Sequence, residues 1–185
     1  MAKLAVIFPG IGYTCDKPLL YYGERIALTF GYESKRVGYT LLDKSNIRGN
    51  REKMEEAFHL LYDQAAKCLV DVNWDQYDEI LFISKSIGTI IATAYANTLK
   101  GKEIRHVLYT PLEDTFRFRP EKAISFIGTA DPWSDPPEVI RLAKDQGVPM
   151  YVYEDLNHSL EGTDVLKNLN TLKDVMEKTT QYLSR

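Results

Sequence analysis

The sequence has few residues that could staple a small fold or bind a metal. Among its 185 residues there are two cysteines and three histidines. Cys15 and Cys68 lie far apart and fit neither a disulfide framework nor a metal-ligand spacing. We expect two reduced thiols, as in a cytoplasmic protein. The chain is long enough to bury a hydrophobic core without such staples, and we expect one domain over residues 1–185.

The sequence also lacks an excess of basic charge and any long apolar run. Its formal net charge is -3, which provides no basic face to neutralise nucleic-acid phosphates. No stretch approaches the roughly 18 apolar residues of a membrane-spanning helix, and the apolar run at 4–8 is too short for a signal-peptide core. We therefore expect no nucleic acid and no membrane as partners. A small molecule remains as the expected partner.

What the chain does contain is a regular alternation of strand and helix patterns. Short apolar runs predict six strands, and helical spacing or capping signals fill the intervals between them. The predicted strands cover residues 4–8, 36–42, 79–84, 104–109, 123–127 and 150–153. Such alternation implies right-handed crossovers and a mostly parallel six-stranded sheet with helices on both faces. The predicted fold class is α/β, a three-layer sandwich without a cap domain.

In an open α/β sheet, ligands bind beyond the carboxyl ends of the strands. The third predicted strand runs into the string S-K-S-I-G, centred on Ser86. A serine becomes a nucleophile when a sharp strand-to-helix turn exposes its hydroxyl beside a base. That turn requires small residues two positions to either side, where Ser84 and Gly88 stand. The string by itself is equally compatible with Ser86 acting as a helix cap.

Two later loops supply partners for such a serine. Asp131 follows the fifth predicted strand, and His158 follows the sixth. Taken alone, Asp131 is also typical of a loop or capping residue. His59 lies in a helical pattern and His106 in a strand, where structural roles are expected. The chain order Ser86, Asp131, His158 is the order of a catalytic triad on this kind of sheet, so we predict these three as catalytic residues.

The loop after the first strand has the composition of an oxyanion-binding turn. Acyl transfer builds negative charge on a carbonyl oxygen, which two fixed backbone N–H groups stabilise. We predict the amides of Ile11 and Ile87 for this role, because Ile87 opens a helix whose N-terminal amides are free. Gly10 and Gly12 would equally serve only as a tight exit from the strand.

The strings F-P-G-I-G, S-K-S-I-G, G-T-A-D and N-H together resemble the α/β-hydrolase superfamily, over essentially the whole chain. The similarity is strongest to compact, nearly lidless members such as dienelactone hydrolases and small carboxylesterases. The resemblance implies that Ser86 attacks an ester or thioester, that His158 takes its proton and that Asp131 holds His158. It implies no cofactor and no metal. Two departures are Pro9, where many relatives have histidine, and Ser84, where glycine is usual.

The substrate pocket is less determined. Tyr13, Trp133 and the stretch 110–118 are placed to line it and indicate an apolar or aromatic acyl group, and Lys85 is a further candidate for its lining. They are equally compatible with packing. Lys85 either contacts a substrate carboxylate or is solvated or paired. The stretch 110–120 is too short for a lid domain, and its charges of both signs leave the charge of the substrate open.

Two other classes of protein remain as alternatives. A dinucleotide-binding domain would use Gly10 and Gly12 for the phosphates and Asp43 for a ribose, but Cys15 stands where the third glycine belongs. That reading also leaves the serine, aspartate and histidine set unexplained. A hydrolase-like scaffold that binds a ligand or partner without catalysis is the second alternative. Cys15 as an alternative nucleophile has no neighbouring base.

Overall fold

A computed structural model describes residues 1–43, 45 and 47–185. The strands are β1 (Lys3–Phe8), β2 (Glu33–Arg36), β3 (Glu79–Lys85), β4 (Ile104–Tyr109), β5 (Lys122–Gly128) and β6 (Met150–Tyr153). The helices are α1 (Pro18–Thr29), α2 (Arg51–Leu69), α3 (Ile87–Ala96), α4 (Pro136–Asp145) and α5 (Val165–Leu183). Short 3₁₀ segments lie at Trp74–Gln76 and Glu113–Phe118.

The strands form one sheet in the order β2-β1-β3-β4-β5-β6, with every neighbouring pair parallel. The chain moves to one side of β1 to form β2 and then to the other side to form β3. The loops after β1 and β3 therefore diverge at a topological switch point, where ligands of open α/β sheets bind. The predicted α/β class with six strands is confirmed.

Side-chain alternation along the strands divides the core into two faces. In β3, Phe82 belongs to the cluster beneath α2 and α3, whereas Leu81 and Ile83 belong to the cluster beneath α1 and α5. A smaller cluster joins α4 to Leu108 of β4 and Ile127 of β5. Neighbouring elements cover α3, and nine of its residues are buried. This burial explains why its sequence is apolar or small nearly all round.

The strand predicted at 36–42 is wrong, because β2 ends at Arg36. This strand lies at the edge of the sheet and pairs with β1 alone, and β1 ends at Phe8. One further bond, from the Val37 N–H to the Ile7 carbonyl oxygen (2.9 Å), closes the ladder. Beyond it the alternating apolar residues Val37, Tyr39 and Leu41 pack as a loop on the α2 side of the core.

The stretch 110–120 forms no lid. Its 3₁₀ segment packs against α3, where the Thr115 and Thr89 hydroxyls lie 2.6 Å apart. Phe116 enters the cluster beneath α4. Within the residues described, no helix combines the length and apolarity needed to cross a membrane.

Candidate active site

Ser86 occupies a strained turn between β3 and α3. Its backbone angles are φ 59 and ψ -131, a region that serine rarely adopts. Its N–H donates to the Tyr109 carbonyl oxygen (3.1 Å), and the Thr89 hydroxyl donates to its carbonyl oxygen (2.6 Å). These bonds hold the strained conformation. The Ser86 side chain makes no capping bond to α3, so its hydroxyl projects away from the helix that it precedes.

Close approach of two loops requires the glycine that follows the serine. A Cβ on Gly88 would lie 2.5 Å from the carbonyl oxygens of both Phe8 and Pro9. At the other small-residue position, Ser84 is fully buried, and its hydroxyl lies 3.4 Å from the Val107 carbonyl oxygen. A serine therefore fits where glycine is usual in this motif.

The three residues predicted as a triad lie in one hydrogen-bonded line. His158 Nε2 is 2.8 Å from the Ser86 hydroxyl oxygen, and His158 Nδ1 is 2.6 Å from Asp131 Oδ2. The second oxygen of Asp131 accepts the Trp133 backbone N–H at 2.9 Å. Asp131 is therefore fixed from two sides. A carboxylate beside Nδ1 favours the tautomer with its proton on Nδ1, which leaves Nε2 as an acceptor facing the serine hydroxyl.

Asn157, which the sequence analysis matched in the N-H string without giving it a role, holds the histidine loop in place. The Asn157 side-chain oxygen accepts the N–H groups of Ser159 (2.7 Å) and Glu161 (3.2 Å). Its own N–H donates to the Glu161 carbonyl oxygen at 3.0 Å. His158 thus projects from a turn closed on both sides. Asparagine before a loop histidine is a turn signal that could have been read from the sequence.

The predicted oxyanion amides are both free of internal partners. Neither the Ile11 nor the Ile87 N–H donates a hydrogen bond within the part of the chain that the structure describes. Ile87 is the first residue of α3, where the helix dipole favours an anion. The β1 loop is closed by the Gly10 N–H, which donates to the Tyr13 carbonyl oxygen (3.0 Å). The Tyr39 hydroxyl donates to the Pro9 carbonyl oxygen in the same loop.

A cleft of about 210 Å³ opens over the serine hydroxyl. Of the residues predicted to line the pocket, Tyr13, Lys85 and Trp133 lie in its walls. The stretch 110–118 was wrongly predicted to do so, because it packs against α3 and α4 instead. Lys17, Met54 and Ser159 line the cleft without having been predicted. The lining residues are Gly10, Ile11, Gly12, Tyr13, Lys17, Met54, Lys85, Ser86, Ile87, Trp133, His158 and Ser159. The Trp133 ring stacks on His158 with 5.7 Å between ring centres. Larger cavities lie elsewhere, such as one of about 470 Å³ beside His106, but they contain none of the three triad residues.

Burial sets the protonation of the ionisable groups in the cleft. The pKa of His158 is lowered from its usual value because burial disfavours the imidazolium; Asp131 opposes this shift, and the positive charge of Lys85 adds to it. Burial likewise lowers the pKa of Lys85 to about 7. Burial raises the pKa of Tyr13 to about 12, so this phenol stays neutral.

The remaining histidines and the cysteines lie outside this arrangement. His59 is exposed beside Glu55, and His106 is buried in β4 with its ring perpendicular to that of Phe82. Burial raises the pKa of the Cys15 thiol to about 11, which opposes a role as nucleophile. Among the described residues, no group of three or more histidine, cysteine or acidic side chains is gathered for a metal.

The features proposed for a dinucleotide site are not arranged for phosphates. Helix α1 begins only at Pro18, six positions after Gly12, so its N-terminus does not follow the glycines directly. Asp43 accepts hydrogen bonds from the backbone N–H (2.8 Å) and the hydroxyl (2.5 Å) of Ser45. Its carboxylate serves a local turn.

Comparison with solved structures identifies the fold. A lidless α/β serine hydrolase from Xanthomonas campestris superposes with a TM-score of 0.62 at 13% identity, covering 99% of this chain and 81% of its own. Est1E from Butyrivibrio proteoclasticus, with ferulic acid bound, gives a TM-score of 0.70 at 9% identity, covering 100% of this chain and 90% of its own. An esterase from Pyrococcus furiosus gives 0.64 at 15% identity, covering 99% and 83%. No family model and no curated protein matches the sequence. At these identities the likeness establishes the compact α/β-hydrolase fold, without a lid.

Proposed function

We propose that this protein is a serine hydrolase of the carboxylesterase or thioesterase type, which cleaves a small acyl substrate through a covalent intermediate on Ser86. The observation that carries the proposal is the position of His158, whose two ring nitrogens bond the Ser86 hydroxyl and the Asp131 carboxylate. A histidine so placed can accept a proton on one side while its new charge is stabilised on the other.

In the first step, the Ser86 oxygen forms a bond to the carbonyl carbon of the substrate while His158 Nε2 takes the serine proton. The carbonyl electron pair moves onto oxygen, where the Ile11 and Ile87 N–H groups would stabilise the oxyanion. As the tetrahedral intermediate collapses, the bond to the leaving group breaks and His158 returns the proton to it. In the second half-reaction, water attacks the acyl carbon while His158 takes its proton. The bond to Ser86 then breaks, His158 returns the proton to the serine oxygen, and the acid is released.

Asp131 acts through His158. Its buried carboxylate fixes the ring with Nδ1–H towards Asp131 and stabilises the imidazolium formed in each half-reaction. Trp133 adds a second constraint, because its N–H fixes Asp131 and its ring stacks on the imidazole. The backbone strain at Ser86 supports the same proposal. A positive φ in a non-glycine residue persists only where the surrounding structure holds it.

Other features support the proposal at a coarser level. The superposed proteins include ones described as serine hydrolases and esterases. Two free cysteines accord with a cytoplasmic location, which we include in the proposal. The proposed partner is a small acyl substrate, and the chemistry assigned to the triad requires neither a metal nor an organic cofactor.

Labelling with a fluorophosphonate tests the function directly, because the probe phosphonylates an activated serine. We expect one label per protein, located at Ser86 by peptide mass spectrometry, and none in Ser86→Ala. Ser159 lines the same cleft, and no hydrogen bond of its hydroxyl is found among the described residues, so Ser159→Ala should keep the label. Folded protein that remains unlabelled would refute the proposal and leave a ligand-binding scaffold without catalysis.

A further inference from the structure

Lys85, directly before the proposed nucleophile, is buried yet lines the cleft. It is the last residue of β3, and its parity along the strand directs it to the α1 and α5 side of the sheet. Only 1% of the residue is exposed. Its ammonium lies 4.7 Å from the centre of the Tyr13 ring, a cation–π contact. No oxygen of the described residues accepts a hydrogen bond from Lys85 Nζ.

A buried ammonium without an acceptor is costly, and buried lysines are usually paired. The chain's own carboxylates do not supply the partner. Asp131 is engaged by His158 and by the Trp133 N–H. Glu161 is exposed, and among the described residues it forms no ion pair with Lys85. Lys85 Nζ is not among the water-excluded polar atoms without a partner in the described residues, so the ammonium reaches the cleft, where an anionic ligand can supply the acceptor in place of water.

A second lysine faces the same space. Lys17, exposed before α1, has its ammonium 5.4 Å from the centre of the same Tyr13 ring and lines the same cleft. With His158, the lysines give the cleft three basic side chains, and no carboxylate is found among the described residues that line it. This basic lining contrasts with the overall formal charge of -3.

We propose that Lys85 and Lys17 form an anion subsite that binds a carboxylate of the substrate, so that the preferred substrates are short esters or thioesters carrying a free carboxylate near the scissile bond. This inference rests on the proposed function. A single negative charge matches the one buried ammonium, with Lys17 at the exposed side. The cleft of about 210 Å³ is below the roughly 300–1,000 Å³ of drug-sized ligand sites, which favours short substrates.

The electrostatics of the empty site agree with this role. Burial lowers the pKa of Lys85 to about 7, so the ammonium is only partly protonated near neutral pH. A carboxylate bound beside Lys85 would favour the charged form and raise its pKa. Protonation of Lys85 and binding of an anion would thus reinforce each other.

The test compares esters that carry a free carboxylate with neutral esters of similar size. Monomethyl glutarate and dimethyl glutarate place the difference on the acyl side, whereas acetoxyacetate and 2-methoxyethyl acetate place it on the alcohol side. We expect kcat/KM to be roughly 10- to 100-fold higher for the charged member of one pair, the range for hydrogen bonds to charged groups. Lys85→Met should remove most of that preference, and Lys17→Met should reduce it a few-fold because Lys17 is exposed. The matched control is Lys173→Met, an exposed position on α5, which should keep the preference.

The possible outcomes test the anion subsite separately from the proposed serine hydrolase activity. Equal kcat/KM for the charged and neutral members of both pairs would overturn the subsite and leave the serine hydrolase intact. A loss of kcat for both members in Lys85→Met, with their ratio unchanged, would also overturn it and assign Lys85 a role through Asp131 and His158. If Lys85→Met does not fold, an unchanged ratio in Lys17→Met counts against the subsite.

A binding measurement keeps the two proposals separable. Calorimetric titration of Ser86→Ala with monomethyl glutarate and with acetoxyacetate reads the subsite without turnover. Binding of either that is lost in the Ser86→Ala, Lys85→Met double variant supports the subsite even if no ester is hydrolysed. Absence of binding of both anions by folded Ser86→Ala would overturn it, whatever the labelling of Ser86 shows.

Discussion

Gly128 and Leu156 are in such close contact that a Cβ on Gly128 would lie 2.1 Å from the Leu156 carbonyl oxygen. Gly128 ends β5, three residues before Asp131, and Leu156 lies two residues before His158. The Ala130 N–H also donates to the Leu156 carbonyl oxygen at 3.1 Å. The contact therefore fixes the distance between the two loops that carry the carboxylate and the imidazole.

Gly128→Ala should disturb this contact and weaken both folding and catalysis. The new methyl group would clash with backbone atoms, which cannot rotate away as a side chain can. We therefore expect the free energy of unfolding to fall by about 1–3 kcal/mol. Urea denaturation measures that loss, and ester hydrolysis measures the accompanying loss of kcat. Gly38→Ala is the control, because among the described residues no atom beyond its two chain neighbours lies within 4 Å of its added Cβ. Wild-type stability in Gly128→Ala would contradict the contact.

Asp131→Asn should lower kcat by about three to four orders of magnitude, as expected when a triad carboxylate is replaced by its isostere. The amide cannot stabilise an imidazolium and favours the wrong tautomer of His158. Steady-state hydrolysis of a neutral ester measures the effect, with circular dichroism as the check on folding. A folded variant with wild-type kcat would exclude this role of Asp131.

The acid limb of the pH profile should lie below the usual histidine range. His158 must be neutral to accept a proton, and its pKa is lowered, chiefly by burial. We expect kcat/KM for a neutral ester to stay high as pH falls through 6.5 and to decline only at lower pH. Lys85→Met removes a positive charge that lowers this pKa, so the limb should move to higher pH. A limb at or above pH 6.5 in the wild type would contradict the lowered pKa.

Preference for a charged ester should weaken as pH rises through about 7, where free Lys85 loses its proton. The charged groups acting on Lys85 are Asp131 and Glu161, which raise its pKa, and Lys17, which lowers it. His158 also faces it across the cleft, but its protonation affects both members of an ester pair alike. The measured quantity is therefore the ratio of kcat/KM values against pH. Lys85→Met should make that ratio independent of pH over this range.

Tyr39→Phe should affect the oxyanion loop while leaving the fold in place. The variant removes the hydroxyl that donates to the Pro9 carbonyl oxygen, at a cost of about 1 kcal/mol in stability. We expect kcat to fall with KM nearly unchanged, because the loop carries the Ile11 amide. Tyr22→Phe, at an exposed position on α1, provides the comparison. Equal kinetics in both variants would show that Tyr39 does not position the loop.

The candidate site could be predicted from the sequence where it depends on the order of strands and helices along the chain. Ser86 and Asp131 follow the buried apolar strands β3 and β5, and His158 follows the partly buried edge strand β6. A parallel sheet brings the carboxyl ends of its strands to one edge. Their proximity could therefore be predicted without coordinates. The buried helix after Ser86 was equally legible, because an all-apolar or small-residue pattern requires cover on every side.

Features that depend on partners distant in sequence could not be predicted. The end of β2 is set by the end of β1, with which it pairs, and the local pattern at 36–42 carries no sign of that. The need for glycine at position 128 arises from a carbonyl oxygen 28 positions further along the chain. The burial of Lys85 depends on Tyr13 in another loop, whereas a lysine beside a nucleophile is more often solvated.

The packing of the 110–120 stretch against α3 bears on the fate of an acyl group attached to Ser86. With that stretch held on the body of the protein by Thr89 and Thr115, nothing among the described residues folds over the cleft as a cap. An acyl-enzyme would then stand open to bulk water, the most concentrated acceptor in the cell. Partitioning should favour hydrolysis over transfer to alcohols or amines, so that added nucleophiles divert little product even at high concentration.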